Sequence, residues 1–221
     1  MMPAPQKSMA LLDLDGTLID SREGITNCIR YALEKLGAAI PSDDRLAQCI
    51  GPPLQLALAE LLGSTEERDG AEALRLYRER YANIDICNNT LYPGIREMLC
   101  ALRDSGLALC LATSKPTVYA ERILAHHDLS RFFSGIHGSE LDGRRTRKDE
   151  LISYVIAKEK LDPLRAVMVG DRSQDIEGAH ANAMKAIGVT WGFGSRDELT
   201  HAGADALCDR PPDLAETLLR V

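Results

Sequence analysis

The residues best placed to do chemistry are two aspartates separated by one residue. Asp13 and Asp15 end an apolar segment and precede Gly16 and Thr17 in the string DLDGTLIDS. Two carboxylates this close repel each other unless a cation or a shared proton relieves them. Mg²⁺ takes carboxylate and phosphate oxygens as ligands, and a carboxylate beside it can attack phosphorus to form an aspartyl-phosphate. The same string also suits a plain turn, because Asp and Gly both favour turns.

A second acidic pair occurs in the string VGDRSQD, far along the chain. Asp171 follows an apolar segment and Gly170, and Asp175 comes four residues later at the start of a predicted helix. We expect both carboxylates to face the region of Asp13. Asp175 also has a simpler explanation, because an acidic residue in the first turn stabilises a helix.

Hydroxyl groups follow another apolar segment, in the string LATSKP. Thr113 and Ser114 come directly after it, and Pro116 suits the first position of a helix. A hydroxyl, free backbone N–H groups and a helix N-terminus together can bind phosphate. Ser and Thr are also common helix caps, so this pattern alone is weak.

Lys148 lies at the start of another predicted helix. A positive charge is unfavourable there, which favours a functional role such as holding a phosphate group. The alternative is a solvated loop lysine, because Lys148 ends the basic run 144–148.

Short buried strands and amphipathic helices are predicted to position these residues. The apolar runs predict strands at 9–14, 107–112, 166–169 and 186–191, with a weak last strand at 206–208. Helical patterns are found at 95–103, 116–127, 149–160 and 173–183. This alternation predicts an α/β fold, a Rossmann-like doubly wound parallel sheet that binds ligands beyond the carboxyl ends of its strands.

Between residues 20 and 93 the alternation stops and only helical patterns occur. Apolar residues recur at helical spacing from Ile25 to Leu36 and from Leu54 to Leu62, and Ser64 with Glu67 predicts a capping box for a third helix. We therefore predict a core domain of residues 7–20 and 93–221. An inserted all-helical cap domain, residues 21–92, is expected to act as a lid over the strand ends.

The composition excludes several classes of protein. The 221 residues are 45% hydrophobic and 27% charged, with a net charge of −7, which is typical of a globular chain and disfavours nucleic acid or an anionic membrane as partner. Six cysteines without a CxxC pair favour a reducing compartment. The N-terminus MMPAPQKS lacks the apolar run of a signal peptide, and no stretch is long enough to span a membrane. We predict a cytoplasmic protein.

Taken together, DLDGTLIDS, LATSKP, Lys148 and VGDRSQD resemble, in this order, the motifs of haloacid dehalogenase superfamily hydrolases. More narrowly, they resemble the capped phosphatases, which include phosphoglycolate phosphatase and 5′-nucleotidase-like members. The resemblance implies Asp13 as nucleophile and Asp15 as general acid and then base, with Lys148 completing the catalytic set. It departs from the common family pattern at Ser114, where Asn is frequent, and at Asp149, where Pro is frequent, so Lys115 is an alternative cation.

The resemblance also implies ligand sets. The predicted phosphate-binding residues are Gly16, Thr17, Thr113, Ser114 and Lys148. The predicted Mg²⁺ ligands are Asp13, Asp15 through its backbone carbonyl, Asp171 and Asp175. Candidates for substrate specificity are Arg22, Glu23, Arg45, Gly51, Pro52 and Lys115.

The expected function is therefore a Mg²⁺-dependent phosphomonoesterase. Its expected substrate is a small phosphorylated metabolite, a nucleoside 5′-monophosphate or 2-phosphoglycolate, hydrolysed through an aspartyl-phosphate by a monomer or homodimer. Two alternatives stay open at this point: a sugar-phosphate mutase of the same superfamily, and a non-catalytic binding or regulatory protein on the same fold.

Overall fold

A computed structural model of the chain describes residues 9–221. Residues 7 and 8 of the predicted core domain, and the segment MMPAPQKS as a whole, lie outside the described residues. The chain divides into two compact units: the described residues up to Leu18 together with Leu91–Val221, and the intervening Ile19–Thr90.

Eight strands and ten α-helices make up the described residues. The strands are β1 (Met9–Leu12), β2 (Ile19–Asp20), β3 (Thr90–Leu91), β4 (Ala108–Pro116), β5 (Gly135–Ser139), β6 (Ala166–Gly170), β7 (Lys185–Val189) and β8 (Ala206–Cys208). The helices are α1 (Arg22–Lys35), α2 (Asp43–Ala47), α3 (Leu54–Leu61), α4 (Ala71–Arg80), α5 (Ile95–Asp104), α6 (Thr117–His126), α7 (Lys148–Glu159), α8 (Ser173–Ala181), α9 (Arg196–His201) and α10 (Leu214–Leu218). A π-helical turn, Tyr81–Asp85, extends α4, and short 3₁₀ turns span Glu67–Gly70, Ser130–Phe132, Pro163–Arg165 and Pro211–Asp213.

Six parallel strands form the core sheet in the order β5-β4-β1-β6-β7-β8. The central strand β1 pairs on both sides, with Leu11 opposite Cys110 of β4 and Met168 of β6. Helices cover this sheet, so its central strands are apolar on both faces, as expected for parallel sheets. The predicted fold class, a Rossmann-like parallel sheet with an added helical region, is confirmed.

Helices α7 and α8 pack on the central strands. Leu151, Val155 and Ile176 are fully buried in one cluster with Leu11 and Met168. Burying such side chains stabilises a fold by about 1.5 to 3 kcal/mol each. This packing fixes the first turns of α7 and α8, which carry Lys148 and Asp175.

Several predicted strand boundaries are wrong. β1 ends at Leu12 rather than residue 14, although the backbone N–H of Asp13 still donates to the Val169 carbonyl at 3.0 Å. β7 is shifted to Lys185–Val189. β4 continues past Thr113 to Pro116, because its last residues pair with β5 beyond an irregularity, and Pro116 therefore precedes α6 instead of opening it.

β5 has no counterpart in the sequence prediction. Its sequence, GIHGS, contains two glycines and only one large apolar residue. Within residues 9–221 the strand lies at the edge of the sheet and pairs only with β4, so it does not need the apolar run that marks a central strand.

In the unit Ile19–Thr90, the capping box predicted at Ser64 and Glu67 is wrong. The Ser64 hydroxyl accepts from the Glu66 N–H at 3.0 Å and donates to Asp69 at 2.6 Å, so it closes a turn. The third long helix, α4, begins only at Ala71. The short helix α2 was not predicted, although Ser42 caps it by accepting from the Arg45 N–H. Among residues 9–221, no helix has the length and apolar character needed to cross a membrane.

Candidate active site

Three buried carboxylates meet at the carboxyl ends of β1 and β6. Asp13 follows β1, Asp171 follows β6, and Asp175 lies in the first turn of α8. Each offers one oxygen atom, and these three atoms all lie within 4.8 Å of one another. We call Asp13, Asp171 and Asp175 the acid cluster. Because neighbouring parallel strands end at the same edge of a sheet, residues about 160 positions apart in the chain meet here.

Lys148 supplies positive charge to the acid cluster. Its Nζ lies 2.9 Å from Asp13 Oδ1 and 2.7 Å from Asp175 Oδ1, and it donates to the Ala112 carbonyl at 3.1 Å. Its side chain is only 5% exposed, so Lys148 is not a solvated loop lysine. Gly178 of α8 permits this position, because a methyl group there would lie 2.9 Å from Lys148 Cγ.

One lysine does not balance three carboxylates. Burial raises the pKa of Asp13 to about 6, against the opposing effect of Lys148 and with a further contribution from the charge of Asp175. Burial and the charges of Asp175 and Asp13 raise the pKa of Asp171 well above its usual value. Burial alone would lower the pKa of Lys148, but the two carboxylates it contacts outweigh burial and raise that pKa. The cluster is therefore short of positive charge.

A hard divalent cation fits this cluster. All three side chains offer carboxylate oxygens, which Mg²⁺ prefers, and their mutual repulsion is relieved when a cation binds between them. Asp13, Asp171 and Asp175 are thus the side chains that would hold such an ion. The Asp15 backbone carbonyl stays a candidate ligand from the sequence alone.

Thr17 and Phe193 orient the carboxylate of Asp171. The Thr17 hydroxyl donates to Asp171 Oδ1 at 3.3 Å, and the Phe193 N–H donates to Oδ2 at 2.7 Å. Gly16, with φ of +85°, passes close by, and a methyl group there would lie 2.1 Å from Asp171 Oδ2. The hydroxyl group of Thr17, a residue predicted to bind phosphate, thus donates its hydrogen bond to Asp171.

The loop after β7 belongs to the site, which the sequence analysis missed. The indole N–H of Trp191 donates to the Thr17 carbonyl at 3.0 Å. A methyl group on Gly192 would lie 2.3 Å from the Gly16 carbonyl oxygen, and one on Gly194 would lie 1.9 Å from that of Asp171. Two glycines directly after a strand end were the available signal, because close backbone approach requires glycine.

Lys115 pairs with a different aspartate from Lys148. Its Nζ lies 2.7 Å from Asp15 Oδ2, and the two side chains are 6% and 13% exposed. The other oxygen of Asp15, Oδ1, is buried and has no hydrogen-bond partner within residues 9–221. Thr113 is also buried, and its hydroxyl oxygen accepts from the Lys115 N–H at 3.3 Å. Ser114 is half-buried, and its carbonyl accepts from the Ser139 hydroxyl at 2.8 Å.

The candidate specificity residues of the unit Ile19–Thr90 do not gather in one place. Arg22 and Glu23 line a polar cleft of about 370 Å³, together with Arg30 and Asn88. Arg45 instead lies on the surface of α2, where it contacts Gln48 and Glu60. Gly51, with φ of +108°, and Pro52 form the turn before α3 and do not line this cleft.

The basic run before Lys148 is neutralised by acidic neighbours. Arg144 pairs with Asp142, Arg145 with Glu140, and Arg147 with Asp149. These pairs leave Lys148 as the residue of the run that reaches the acid cluster.

Comparison with known proteins identifies one family and several relatives. The family described as haloacid dehalogenase-like hydrolase matches residues 10–189. A 5′-nucleotidase of Pseudomonas aeruginosa is 46% identical over 88% of this chain and 90% of its own length. The tyrosine-protein kinase PtkA of Mycobacterium tuberculosis is 38% identical over 88% of this chain and 66% of its own length.

A more distant relative and a solved structure carry phosphatase names. A phosphoglycolate phosphatase of Vibrio cholerae is 27% identical over 96% of this chain and 98% of its own length. The crystal structure of a predicted phosphatase from Clostridium acetobutylicum has a TM-score of 0.92 and 36% identity, covering 98% of this chain and all of that one.

Proposed function

Because the chain belongs to the haloacid dehalogenase-like hydrolase family, we propose that it is a Mg²⁺-dependent phosphomonoesterase acting through a phosphorylated Asp13. The family predicted from the sequence is confirmed, and so is the enzyme class, a hydrolase with phosphatase-named relatives. The metal, the intermediate and the substrate are the parts that the proposal adds.

The observation that carries the proposal is the buried acid cluster with Lys148 bound to it. Phosphoryl transfer develops negative charge on the phosphoryl oxygens and is catalysed mainly by positioning and by neutralising that charge. Carboxylates alone would repel such a group. When bound to Asp13, Asp171 and Asp175, Mg²⁺ would neutralise charge on the phosphoryl oxygens, and Lys148 adds a cation 2.9 Å from Asp13 Oδ1.

Asp13 and Asp15 divide the covalent chemistry. A carboxylate oxygen of Asp13 attacks phosphorus, and the bond from phosphorus to the alcohol oxygen breaks while Asp15 donates a proton to that oxygen. Asp15 then takes a proton from water, which attacks the aspartyl-phosphate. The bond between phosphorus and the Asp13 oxygen breaks, releasing phosphate and restoring both carboxyl groups.

Thr113 and neighbouring backbone groups are proposed to bind the phosphoryl group. The Thr113 oxygen accepts from the Lys115 N–H, so its hydroxyl proton is left for a phosphoryl oxygen. Ser114 and Gly16 contribute through backbone groups in this proposal. Thr17 contributes indirectly, because its hydroxyl orients Asp171.

The proposed substrate is a small phosphorylated metabolite, a nucleoside 5′-monophosphate or 2-phosphoglycolate. The names of two relatives, a 5′-nucleotidase and a phosphoglycolate phosphatase, support these two classes. Arg22 and Glu23, which line the polar cleft, are the proposed specificity residues. A cytoplasmic location and a monomeric or homodimeric state belong to the same proposal.

The proposal is tested by phosphate release from a panel of phosphorylated metabolites, with Mg²⁺ and with a chelator. Asp13→Asn is the blank, and Asp104→Asn, an exposed aspartate on α5, is the matched control. We expect Mg²⁺-dependent release that Asp13→Asn abolishes and Asp104→Asn retains.

Three other outcomes would overturn the proposal. Full activity in Asp13→Asn would exclude the phosphorylated aspartate. An isomerised sugar phosphate without release would indicate a mutase. Transfer to a tyrosine peptide in place of water would indicate a kinase, the activity named for one relative.

A further inference from the structure

We propose that Lys115 is a positioning residue for Asp15, holding one carboxylate oxygen so that the other faces the oxygen of the leaving group. The inference rests on the proposed function, because it assigns Lys115 to the proton-transfer step of that reaction. The observation behind it is the 2.7 Å contact from Lys115 Nζ to Asp15 Oδ2, with Oδ1 buried and unpaired among the described residues.

A β-bulge aims Lys115 at Asp15. Thr113 of β4 pairs with Gly138 of β5, but the next pair joins Pro116 to Ser139, so two residues of β4 are left out of the ladder. Lys115 is one of these two residues. Bulges often occur beside active sites, where they redirect a side chain that regular pleating would point elsewhere.

The backbone around the bulge is tightly held. The Lys115 N–H donates to the Thr113 hydroxyl, and the Ser139 hydroxyl donates to the Ser114 carbonyl. A methyl group on Gly138 would lie 2.3 Å from the Lys115 carbonyl oxygen, so glycine is needed at this contact. The side chain of Lys115 therefore extends from a backbone that these contacts hold in place.

Lys148 does not substitute for Lys115. The Nζ of Lys148 already contacts Asp13, Asp175 and the Ala112 carbonyl. Both side chains of the Lys115–Asp15 pair are largely buried, and an ion pair is stronger in such a setting than at the surface. The pair thus restricts the rotation of the Asp15 carboxylate before substrate binds.

The role predicts a dependence on the leaving group. A general acid matters when the departing oxygen would leave as a basic alkoxide, and it matters little when the departing group is a stable anion such as p-nitrophenolate. A lysine that only supported the fold or bound the phosphoryl group would affect both kinds of substrate equally.

The test compares Lys115→Met with Asp15→Asn on two substrates: the alkyl phosphate of the panel that is hydrolysed fastest, and p-nitrophenyl phosphate. For Lys115→Met we expect kcat/KM on the alkyl phosphate to fall about 100-fold and kcat/KM on p-nitrophenyl phosphate to fall only a few-fold, the same selectivity as for Asp15→Asn. This ratio is the right measure because it reports the step in which the leaving group departs and not the later attack of water, which is common to both substrates. Lys115→Arg should recover part of the alkyl phosphate activity. Lys158→Met, at an exposed position of α7, is the matched control and should match the unsubstituted enzyme.

A second variant keeps the test decisive if Lys115→Met does not fold. Gly138→Ala retains the ammonium group but crowds the Lys115 carbonyl, and we expect the same selective loss on the alkyl phosphate. Equal loss on both substrates for the Lys115 and Gly138 variants, beside a selective Asp15→Asn, would overturn the inference and leave the proposed function intact. Full activity of Asp13→Asn would instead overturn the proposed function itself.

Discussion

Lys148 and Lys115 are both buried, and both contact an aspartate of the string DLDG, yet their surroundings differ. Lys148 faces two carboxylates of the acid cluster, whereas Lys115 faces Asp15. The first region keeps an excess of negative charge, and in the second the Lys115 ammonium group contacts the carboxylate of Asp15. The ratio of charges, rather than the type of residue, thus separates a region suited to a divalent cation from one suited to holding a proton-transfer group in place.

The two regions also differ in how the fold builds them. Lys148 is the first residue of α7, held by packing of α7 against α8 at Gly178. Lys115 lies in a bulge of β4 whose geometry depends on the edge strand β5. Substitutions in each region should therefore have separable effects.

The largest difference is expected for removal of the two ammonium groups. Lys148→Met leaves Asp13 and Asp175 without their cation, so we expect kcat to fall about 1,000-fold or more on every substrate. The free energy of unfolding should fall by about 3 kcal/mol, because breaking a buried ion pair leaves uncompensated charge. Steady-state kinetics and urea unfolding measure both quantities. If Lys148→Met lost no more activity on p-nitrophenyl phosphate than Lys115→Met, the comparison would fail.

Metal binding should distinguish the regions next. We expect Mg²⁺ at 100 times its Kd to raise the free energy of unfolding of the unsubstituted protein by about 2.7 kcal/mol. Asp171→Asn should abolish that gain. In chelator, however, the variant should be at least as stable as the unsubstituted protein, because it lacks a carboxylate whose pKa is raised by burial and by the charge of Asp175. Thermal unfolding with Mg²⁺ or chelator measures this. Lys115→Met should keep the Mg²⁺ response, and its loss there would contradict the separation.

Crowding of Asp171 should give a smaller effect. Gly16→Ala places a methyl group 2.1 Å from Asp171 Oδ2, so we expect Mg²⁺ affinity to fall about 10-fold or more. Gly106→Ala is the matched control, because Gly106 has a similar φ of +81° but open space around it. The control should lose only about 1 to 2 kcal/mol of stability from backbone strain and should keep its Mg²⁺ affinity. Equal Mg²⁺ affinities in the two variants would show that contact with Asp171 is unimportant.

The smallest effect is expected for a partly exposed ion cluster outside the site. Burial alone would raise the pKa of Asp205, but hydrogen bonds from Lys185, His180 and the Ala186 N–H outweigh it and lower that pKa to about 2. A lowered pKa stabilises the fold above the unfolded value, near 3.8, and this stability is lost as pH falls through about 2.

We therefore expect Asp205→Asn to cost about 1 to 2 kcal/mol at pH 7, reduced by solvent screening, with the cost disappearing between pH 4 and pH 2. Urea unfolding of both proteins across this range measures the effect. Activity should be unchanged, and a loss of activity would mean that the two lysine regions do not account for the charged groups that catalysis needs.

The sequence predicted the apolar segments and the polar residues that follow them, because central parallel strands require buried residues on both faces. It did not predict β5, whose residues GIHGS lack an apolar run, nor the bulge at Lys115, which depends on pairing with β5. The Phe193 contact to Asp171 was also missed, because a backbone N–H has no signature in the side-chain sequence.

The pairing of β1 with both β4 and β6 has a consequence for the order of synthesis. Met9 lies opposite Ala108 and Ala166, so the strand before Asp13 leaves the ribosome long before its second neighbour exists. At about 5 to 20 residues per second, that wait is on the order of 10 to 30 s. During this time the side of β1 that pairs with β6 stays without its neighbour. A chain truncated before β6 lacks the strand whose Val169 carbonyl accepts from the Asp13 N–H. The chemistry of the amino-terminal motif thus becomes available only after most of the chain has been made.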